Sequence, residues 1–280
     1  MKLCDLHTHS VYSDGTYTPG ELIAAAKEAG LSAIALTDHN TVAGLPHFLA
    51  AAEGSGVEAV PGVEFSTDYG DTELHILALF VRPEHYDAIT KLLEDAARRK
   101  EESNIALVMA LNQAGYHLDY DTIKAKTPNG QVNRAHIAAE LTELGYTADR
   151  QEAFKRLLSP KRGYYQPPAR IGSYEAIRFI KSLGAVAVLA HPFLNLDEAG
   201  LREFLPEAAA CGLDGMEVAY SKYSPETTAL AERIAGEYGL KKSGGSDFHG
   251  GNKPDISLGT GRGELAVPLN WLENLRESLK

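Results

Sequence analysis

The 280-residue chain is poor in thiols: it holds two cysteines, Cys4 and Cys211, beside one tryptophan and three methionines. Two cysteines so far apart make no disulfide framework and no thiolate metal cage, and both are expected as buried thiols in a reducing compartment. Positive charge is also in short supply. Against 38 acidic residues stand 27 Lys and Arg, a formal net charge of −11, which argues against a general nucleic-acid-coating surface and against stable duplex binding. Any anionic substrate then needs a local basic pocket. No apolar stretch approaches a signal h-region or a membrane span, so a cytoplasmic protein without a membrane partner is expected. There is no G-x-S-x-G elbow, neither cysteine belongs to a histidine cluster, and there is no dinucleotide fingerprint around Gly44, Gly54 and Gly56 and no P-loop. Serine and cysteine nucleophiles are thereby disfavoured, and Gly-rich phosphate cradles with them. Internal repeats and low-complexity tracts are missing too.

What the chain has is histidine beside carboxylate. Six of its ten histidines fall in short clusters spread from residue 7 to residue 249: His7-Thr8-His9 with Asp14, Asp38-His39, Glu64, His75, His191, and Asp247-Phe248-His249. Imidazole and carboxylate without thiolate are the ligand set of a hydrolytic site with more than one transition-metal ion. In an extended segment alternate side chains point the same way, so His7 and His9 can grip one ion together, and Asp247 and His249 repeat that spacing. One such pair could be an ordinary surface feature. Two pairs with Asp14, His39, Glu64 and His191, all placed at expected strand ends, are hard to explain by chance.

With 44% hydrophobic residues, the chain can bury a large core as one domain or as a domain with an insertion. Strands are expected at 3–6, 33–37, 57–63 and 74–81, with helices at 19–29 and 41–53. Thr18 is the expected cap of the first helix, with Pro19 at its first position, Glu21 completing a capping box and Gly30 ending it. From Glu84 to about Gln166 the strand signal vanishes, and helical patterns occupy 84–114, 134–144 and 149–158. The βα rhythm then returns: a helix capped by Ser173, a strand at 186–190, a helix at 198–211, a strand at 215–219, a helix at 225–238, and Lys241–Ser243 leading into the last cluster. About seven βα-type units suit a barrel related to the eight-stranded TIM architecture over 1–82 and 171–280, with a helical insertion over 83–170. Catalytic groups in such barrels sit at the C-terminal ends of strands. His75 is the awkward member, because it lies at the start of its strand.

The remaining histidines supply a control. His47, His85 and His117 lie outside these clusters, on helices or turns, and are expected in solvated positions. His136 differs, since Asn133-Arg134-Ala135-His136 opens a helix, whose N-terminus attracts anions and where Arg134 could grip phosphate in bidentate fashion. An ordinary N-cap with surface charges explains the same residues. Lys155, Arg156, Lys161, Arg162 and Arg170 reverse the local charge, and Arg98-Arg99 on the long helix is a further basic candidate. Glu217, at the end of a strand, could orient a metal-bound histidine or contact substrate.

At DLHTHS with SDGT, LTDHNT, GVEF, HIL, LAHP and GSDFH the sequence resembles the PHP family, named for polymerase and histidinol phosphatase. The resemblance implies a distorted, TIM-like (β/α)7 barrel with two or three divalent transition-metal ions on its C-terminal rim, manganese first, with zinc or iron as alternatives. It implies that His7, His9, Glu64 and Asp247 hold one ion, that Asp14, His39 and His249 hold another, and that Glu64 bridges to a third held by His75 and His191. Asp14 stands where other branches have histidine, which makes the second site more anionic and leaves the metal's identity open. Arg98-Arg99, Arg134-Ala135-His136 and Gly163-Tyr164 leading to Pro167-Pro168 are similar to a narrower branch, the nucleoside 3′,5′-bisphosphate phosphatases and related 5′-to-3′ exoribonucleases.

The expected activity is therefore hydrolysis of the 3′-phosphate of a small nucleoside 3′,5′-bisphosphate, such as adenosine 3′,5′-bisphosphate to AMP, or of a short 5′-phosphorylated oligonucleotide. Glu64, Asp247 and His249 are the catalytic candidates, the last two as proton relays, and Arg99, Arg134, His136 and Arg170 are the candidates for binding substrate. A histidinol-phosphatase-like phosphomonoesterase is the alternative within the family. An amidohydrolase cleaving a C–N bond is the alternative from another reaction class, disfavoured because a neutral amide needs no basic insertion. A metal-stabilised regulatory or polymerase-accessory module is the non-enzymatic reading.

Overall fold

A computed structural model describes residues 2–127, 132–168 and 170–279. The chain divides into two compact units, one of Met1–Lys91 with Ile171–Lys280 and one of Leu92–Arg170. The first begins with β1 (Leu3–Asp5), α1 (Pro19–Glu28), β2 (Ala33–Leu36), α2 (Leu45–Ala52), β3 (Glu58–Tyr69) and β4 (Thr72–Leu79). The capping box at α1 is formed in both directions: the Thr18 hydroxyl accepts from the Glu21 N–H, and Glu21 accepts from the Thr18 N–H at 2.7 Å. α2 starts later than its sequence pattern, because Thr41 turns the chain first, its hydroxyl accepting from the Ala43 N–H.

The long helix α3 (Tyr86–Gln113) leads into the second unit, followed by α4 (Tyr120–Lys126), α5 (Arg134–Glu143) and α6 (Arg150–Ala153). The helix expected over 149–158 keeps only its first turn as α6 and continues as a π-helical turn over Phe154–Leu158. This unit has a core of its own, in which Leu107, Leu111, Ile123, Ile137, Leu141 and Leu158 are buried together.

The first unit resumes with α7 (Ser173–Ser182), β5 (Val186–Ala190), α8 (Glu198–Ala210), β6 (Gly215–Tyr220), α9 (Pro225–Glu237), β7 (Lys241–Gly245), β8 (Val267–Pro268) and α10 (Leu269–Arg276). Ser173 does not cap α7. Gly172 is the cap residue, and the Ser173 hydroxyl is buried against Thr67 Oγ1 at 2.7 Å.

The eight strands form one sheet in the order β7-β6-β5-β4-β3-β2-β1-β8. Neighbours β1, β2 and β3 run parallel, as do β5, β6 and β7, while β4 is antiparallel to both β3 and β5. Beyond its paired residues β1 continues beside the continuation of β7: the Leu6 N–H donates to the Gly244 carbonyl, Asp247 N–H to His7, and His9 N–H to Phe248. The sheet is thereby a nearly closed barrel. Its interior is packed with small and branched side chains, including Ala33, Ala35, Val60, Leu77, Val186, Val188 and Ala219. The barrel class expected from the βα rhythm is present, with an eighth, two-residue strand that pairs antiparallel with β1. The close approach at the seam depends on Gly245, where a Cβ would stand 2.4 Å from the Cβ of His7 and 2.5 Å from its backbone nitrogen.

Candidate metal centre

The antiparallel course of β4 accounts for His75. Its register sets His75 opposite Ser66 of β3 and Ala190 of β5, so the start of β4 lies at the rim where its parallel neighbours end. Glu64 does not follow its strand as the sequence pattern suggested. It lies within β3, paired across a bridge with His39.

Glu64 is fully buried and is the hub of the site. Its Oε1 stands 2.7 Å from His75 Nδ1 and 3.1 Å from His191 Nε2. Its Oε2 stands 3.0 Å from His7 Nε2, 3.2 Å from His9 Nε2 and 3.1 Å from His39 Nδ1. Asp247 adds Oδ1, 3.3 Å from His9 Nε2 and 3.8 Å from His7 Nε2. Asp14, on the loop after β1, places an oxygen 3.2 Å from His249 Nε2 and 3.7 Å from His9 Nδ1. The nine candidate ligands thus lie in one cluster. Three sets have ligand atoms close enough for a shared ion: His9, Asp14, His39 and His249; His7, His9 and Glu64; and His39, Glu64 and His75. In this arrangement His9, His39 and Glu64 each belong to two sets.

The cluster fits divalent cations on the chemistry of its donors. His249 Nδ1 lies 2.8 Å from the Asp247 carbonyl, which can only accept, so the neutral ring carries its lone pair on Nε2. That Nε2 is buried with no hydrogen bond, facing Asp14. His9 Nδ1 and His39 Nδ1 are likewise buried and unbonded, although each has a carboxylate oxygen near it. Lone pairs facing lone pairs repel unless a cation lies between them. Ligand atoms about 2.0–2.2 Å from a common ion would be roughly 3.0–3.5 Å apart, the range of most of these separations.

Without such ions the site is held by protons. Burial opposes the charging of His75, yet the Glu64 carboxylate outweighs it and lifts His75 to about 10. His9 is lifted to about 9 against its burial, by Asp247 and Glu64. Burial pulls His39 down to about 3, because Glu64 only partly offsets it and His9 adds a repulsion. Burial raises Glu64 and Asp247, but the imidazoles around them win and hold both well below the usual carboxylate range. Asp14 is also lowered despite its partial burial, by His249, His39 and His9.

Several groups outside the expected ligand set hold this cluster in place. Asp5 is buried and accepts from the Ser246 N–H and hydroxyl, the Gly259 N–H and the His7 N–H, tying the ends of β1 and β7 together. Asp38 contributes no atom to the three sets. It accepts from the Ser10 N–H and hydroxyl and from the Ser13 hydroxyl, which fixes the loop that carries Asp14. Oδ2 of Asp247, turned from the histidines, accepts from the Tyr220 hydroxyl at 2.8 Å and from Lys253 Nζ at 2.7 Å. His191 and Asp247 have φ of 27° and 58°, in the left-handed region that non-glycine residues seldom occupy. Such strain concentrates at functional sites, where surrounding contacts can hold it.

The basic candidates Arg99, Arg134, His136 and Arg170 belong to the second unit. Arg134 lies 4.4 Å over the Tyr165 ring and 5.7 Å from that of Phe154, and donates to the Leu158 carbonyl. Asn133 caps α5 by accepting from the Ala135 and His136 N–H groups, while His136 Nδ1 accepts from the Asn133 N–H. Burial, with the positive charges of Lys100 and Arg150, lowers His136. Arg99 has its Nε buried without a hydrogen bond, whereas Arg98 is solvated and paired with Asp95 and Glu102. Arg156 pairs with Glu152, and Arg162 donates to the Lys155 carbonyl. The histidines expected in solvated positions are exposed at His47 and His117 and half-buried at His85. Both cysteines are buried and unpaired.

A barrel whose rim gathers imidazoles and carboxylates around a buried glutamate defines a metal-dependent hydrolase. The PHP domain profile matches residues 5–160, and the chain belongs to that family. Among its relatives is a 5′-3′ exoribonuclease of Haemophilus influenzae, 34% identical over 89% of this chain and 90% of that protein. Another is a 3′,5′-nucleoside bisphosphate phosphatase of Chromobacterium violaceum, 30% identical over 89% and 88%. A crystal structure of a chain described as a metal-dependent phosphoesterase from Bifidobacterium adolescentis superposes with a TM-score of 0.77 at 30% identity, covering 100% and 97% of the two chains. The protein is accordingly a metal-dependent phosphoesterase.

Proposed function

We propose that the protein removes the 3′-phosphate from nucleoside 3′,5′-bisphosphates, and that short 5′-phosphorylated oligonucleotides enter the same site. The observation that carries a multi-ion phosphoesterase centre is the Glu64 carboxylate, with a nitrogen of five histidines within 3.2 Å of its two oxygens. We assign the ions to His7, His9, Glu64 and Asp247; to Asp14, His39 and His249 with His9; and to His75 and His191 with Glu64. Two or three divalent ions, manganese first, are expected. Bound divalent ions polarise phosphoryl oxygens and lower the pKa of an attacking water.

The chain's own residues supply the rest. Lys253, with Asp247 as its ion-pair partner and about a third of its side chain exposed, has N–H groups left for a phosphate oxygen. Asp247 and His249 are the groups able to pass a proton to the leaving 3′-oxygen. Arg99, Arg134, His136 and Arg170, on the insertion over 83–170, are assigned to the 5′-phosphate; the stacking of Arg134 on Tyr165 presents the edge of its planar fork in a fixed direction. The relatives named for a bisphosphate phosphatase and an exoribonuclease support this reading of the substrate.

Phosphate release from the manganese-loaded protein is the test. A panel of 3′,5′-bisphosphates, nucleoside 3′-monophosphates, histidinol phosphate, an aryl phosphate and short 5′-phosphorylated RNAs would be compared by kcat/KM. The bisphosphates should lead. Preference for histidinol phosphate, or equal turnover of the 3′-monophosphates, would overturn the proposed substrate.

A further inference from the structure

Glu217 is a carboxylate with no solvent exposure, on β6, and it contributes no atom to the three ligand sets. Its Oε1 lies 3.0 Å from Nδ1 of His7, and its Oε2 accepts from the backbone N–H of His191 at 2.7 Å. The two histidines reach the site from different strands, and their rings stack with centroids 5.5 Å apart. The pairing of β6 with β7 is irregular between Glu217 and Ala219, an extra residue that re-aims the strand at this point. A buried, ionisable side chain is expensive to keep there, and its two partners show what it does.

We infer that Glu217 is a positioning residue that locks one arm of the metal centre by a different device at each oxygen. At Oε1 it accepts from the Nδ1–H of His7, which fixes the ring tautomer and turns the Nε2 lone pair toward Glu64 and His9, 3.0 and 3.1 Å away. At Oε2 it anchors a peptide whose φ is 27°, so the strained turn after β5 holds His191 Nε2 at 3.1 Å from Glu64 Oε1. One side chain thereby couples the side-chain direction of His7 to the backbone conformation at His191. Partners of this kind raise the basicity of a ligating imidazole, and their loss costs roughly 10–100-fold in metal affinity. The inference rests on the metal-centre reading but not on the choice of substrate.

The test is zinc binding by the metal-stripped full chain, measured by chelator competition for the wild type and for Glu217→Gln. Glutamine keeps the shape and can still accept from the His191 N–H, but its NH2 group cannot accept from the Nδ1–H of His7. The ions held through His7 and His191 should lose affinity by roughly 10–100-fold in the variant. The ion held through Asp14 and His249, which Glu217 does not touch, should keep its affinity within about threefold. Nitrogen-15 spectra of the histidines give a readout that a purely structural role would not move, and they need no variant. In the zinc-loaded wild type His7 should be protonated at Nδ1 and coordinated through Nε2. Coordination through Nδ1, unchanged zinc affinities in Glu217→Gln, or equal weakening of every site would each overturn the inference. A wild type that binds no zinc would instead remove the metal-centre reading on which the inference stands.

Discussion

Glu64 and Arg134 stand at opposite ends of what one residue can be asked to carry. With five imidazoles on its two oxygens, Glu64 loses its bridging charge in Glu64→Gln with almost no change of volume. Metal analysis of that variant should show at least one ion fewer per chain. Turnover should fall by more than about a hundredfold, with the far-UV circular dichroism preserved. A near wild-type rate would show that Glu64 is not the bridge. Arg134→Ala is expected to act on one class of substrate only. Loss of a charge-assisted contact to the 5′-phosphate should cost about 2–3 kcal/mol, close to a hundredfold in kcat/KM on a 3′,5′-bisphosphate. An aryl phosphate, which offers no such group, should be hydrolysed at nearly the wild-type rate. Equal losses on both would place Arg134 at the reacting phosphate, or show that its stacking on Tyr165 is what matters.

Strand ends and the loops after them decide where these side chains point. The seam between β1 and β7 carries His7, His9, Asp247 and His249, and it closes only because Gly245 leaves room for His7. Gly245→Ala would push a methyl group into backbone, which cannot yield as a flexible side chain can. Overpacking of this kind costs about 1–3 kcal/mol, a drop of a few degrees in the melting temperature of a chain this long. Calorimetry should show that drop, together with weaker metal retention, because the same shift separates His7 from Asp247. An unchanged melting temperature would mean that the seam is more open than its geometry indicates. Asp5 and Asp38 hold the same region by accepting N–H and hydroxyl donors at the barrel rim.

For the molecule as a whole, the coupling of protons to metal is the property most open to measurement. His9 and His75, at about 9 and about 10 in the metal-free chain, are protonated at pH 8, and each must lose its proton to serve as a ligand. Metal binding at pH 8 should therefore release protons, and the apparent affinity should weaken as the pH falls. Titration calorimetry in buffers of different ionisation enthalpy reads the number directly. No net release at pH 8 would contradict the protonated, carboxylate-paired state of these histidines. The raised pKa of each also fixes the sign for the metal-free fold. The stabilisation from the pairing of His9 and His75 is fully present below their unfolded value near 6.5 and is lost as the pH rises through about 9 to 10. Among the described residues no helix is long and apolar enough to cross a membrane.

The barrel class and the membership of the cluster were legible in the sequence because both are written in local order. Parallel strands bury both faces and leave apolar runs, the run stops at the rim, and ligands recur at alternate positions there. The α1 capping box needs only residues 18 to 21, and it formed as those residues indicate. What local order does not carry is direction and distant pairing. His75 looked misplaced at the start of its strand until the antiparallel course of β4 set it beside Ala190 and Ser66. Ser173 had the chemistry of a cap, yet a buried partner 106 positions away in sequence claimed its hydroxyl. The two-residue β8 is too short to leave a periodic signal. Lys253 and Tyr220 share an oxygen of Asp247, and Glu217 reaches 210 positions back to His7. A ligand set can be read from residue types at strand ends, because the chemistry of a donor belongs to its side chain. The support around those ligands is decided by which strands become neighbours when the sheet closes, and only the tertiary structure decides that.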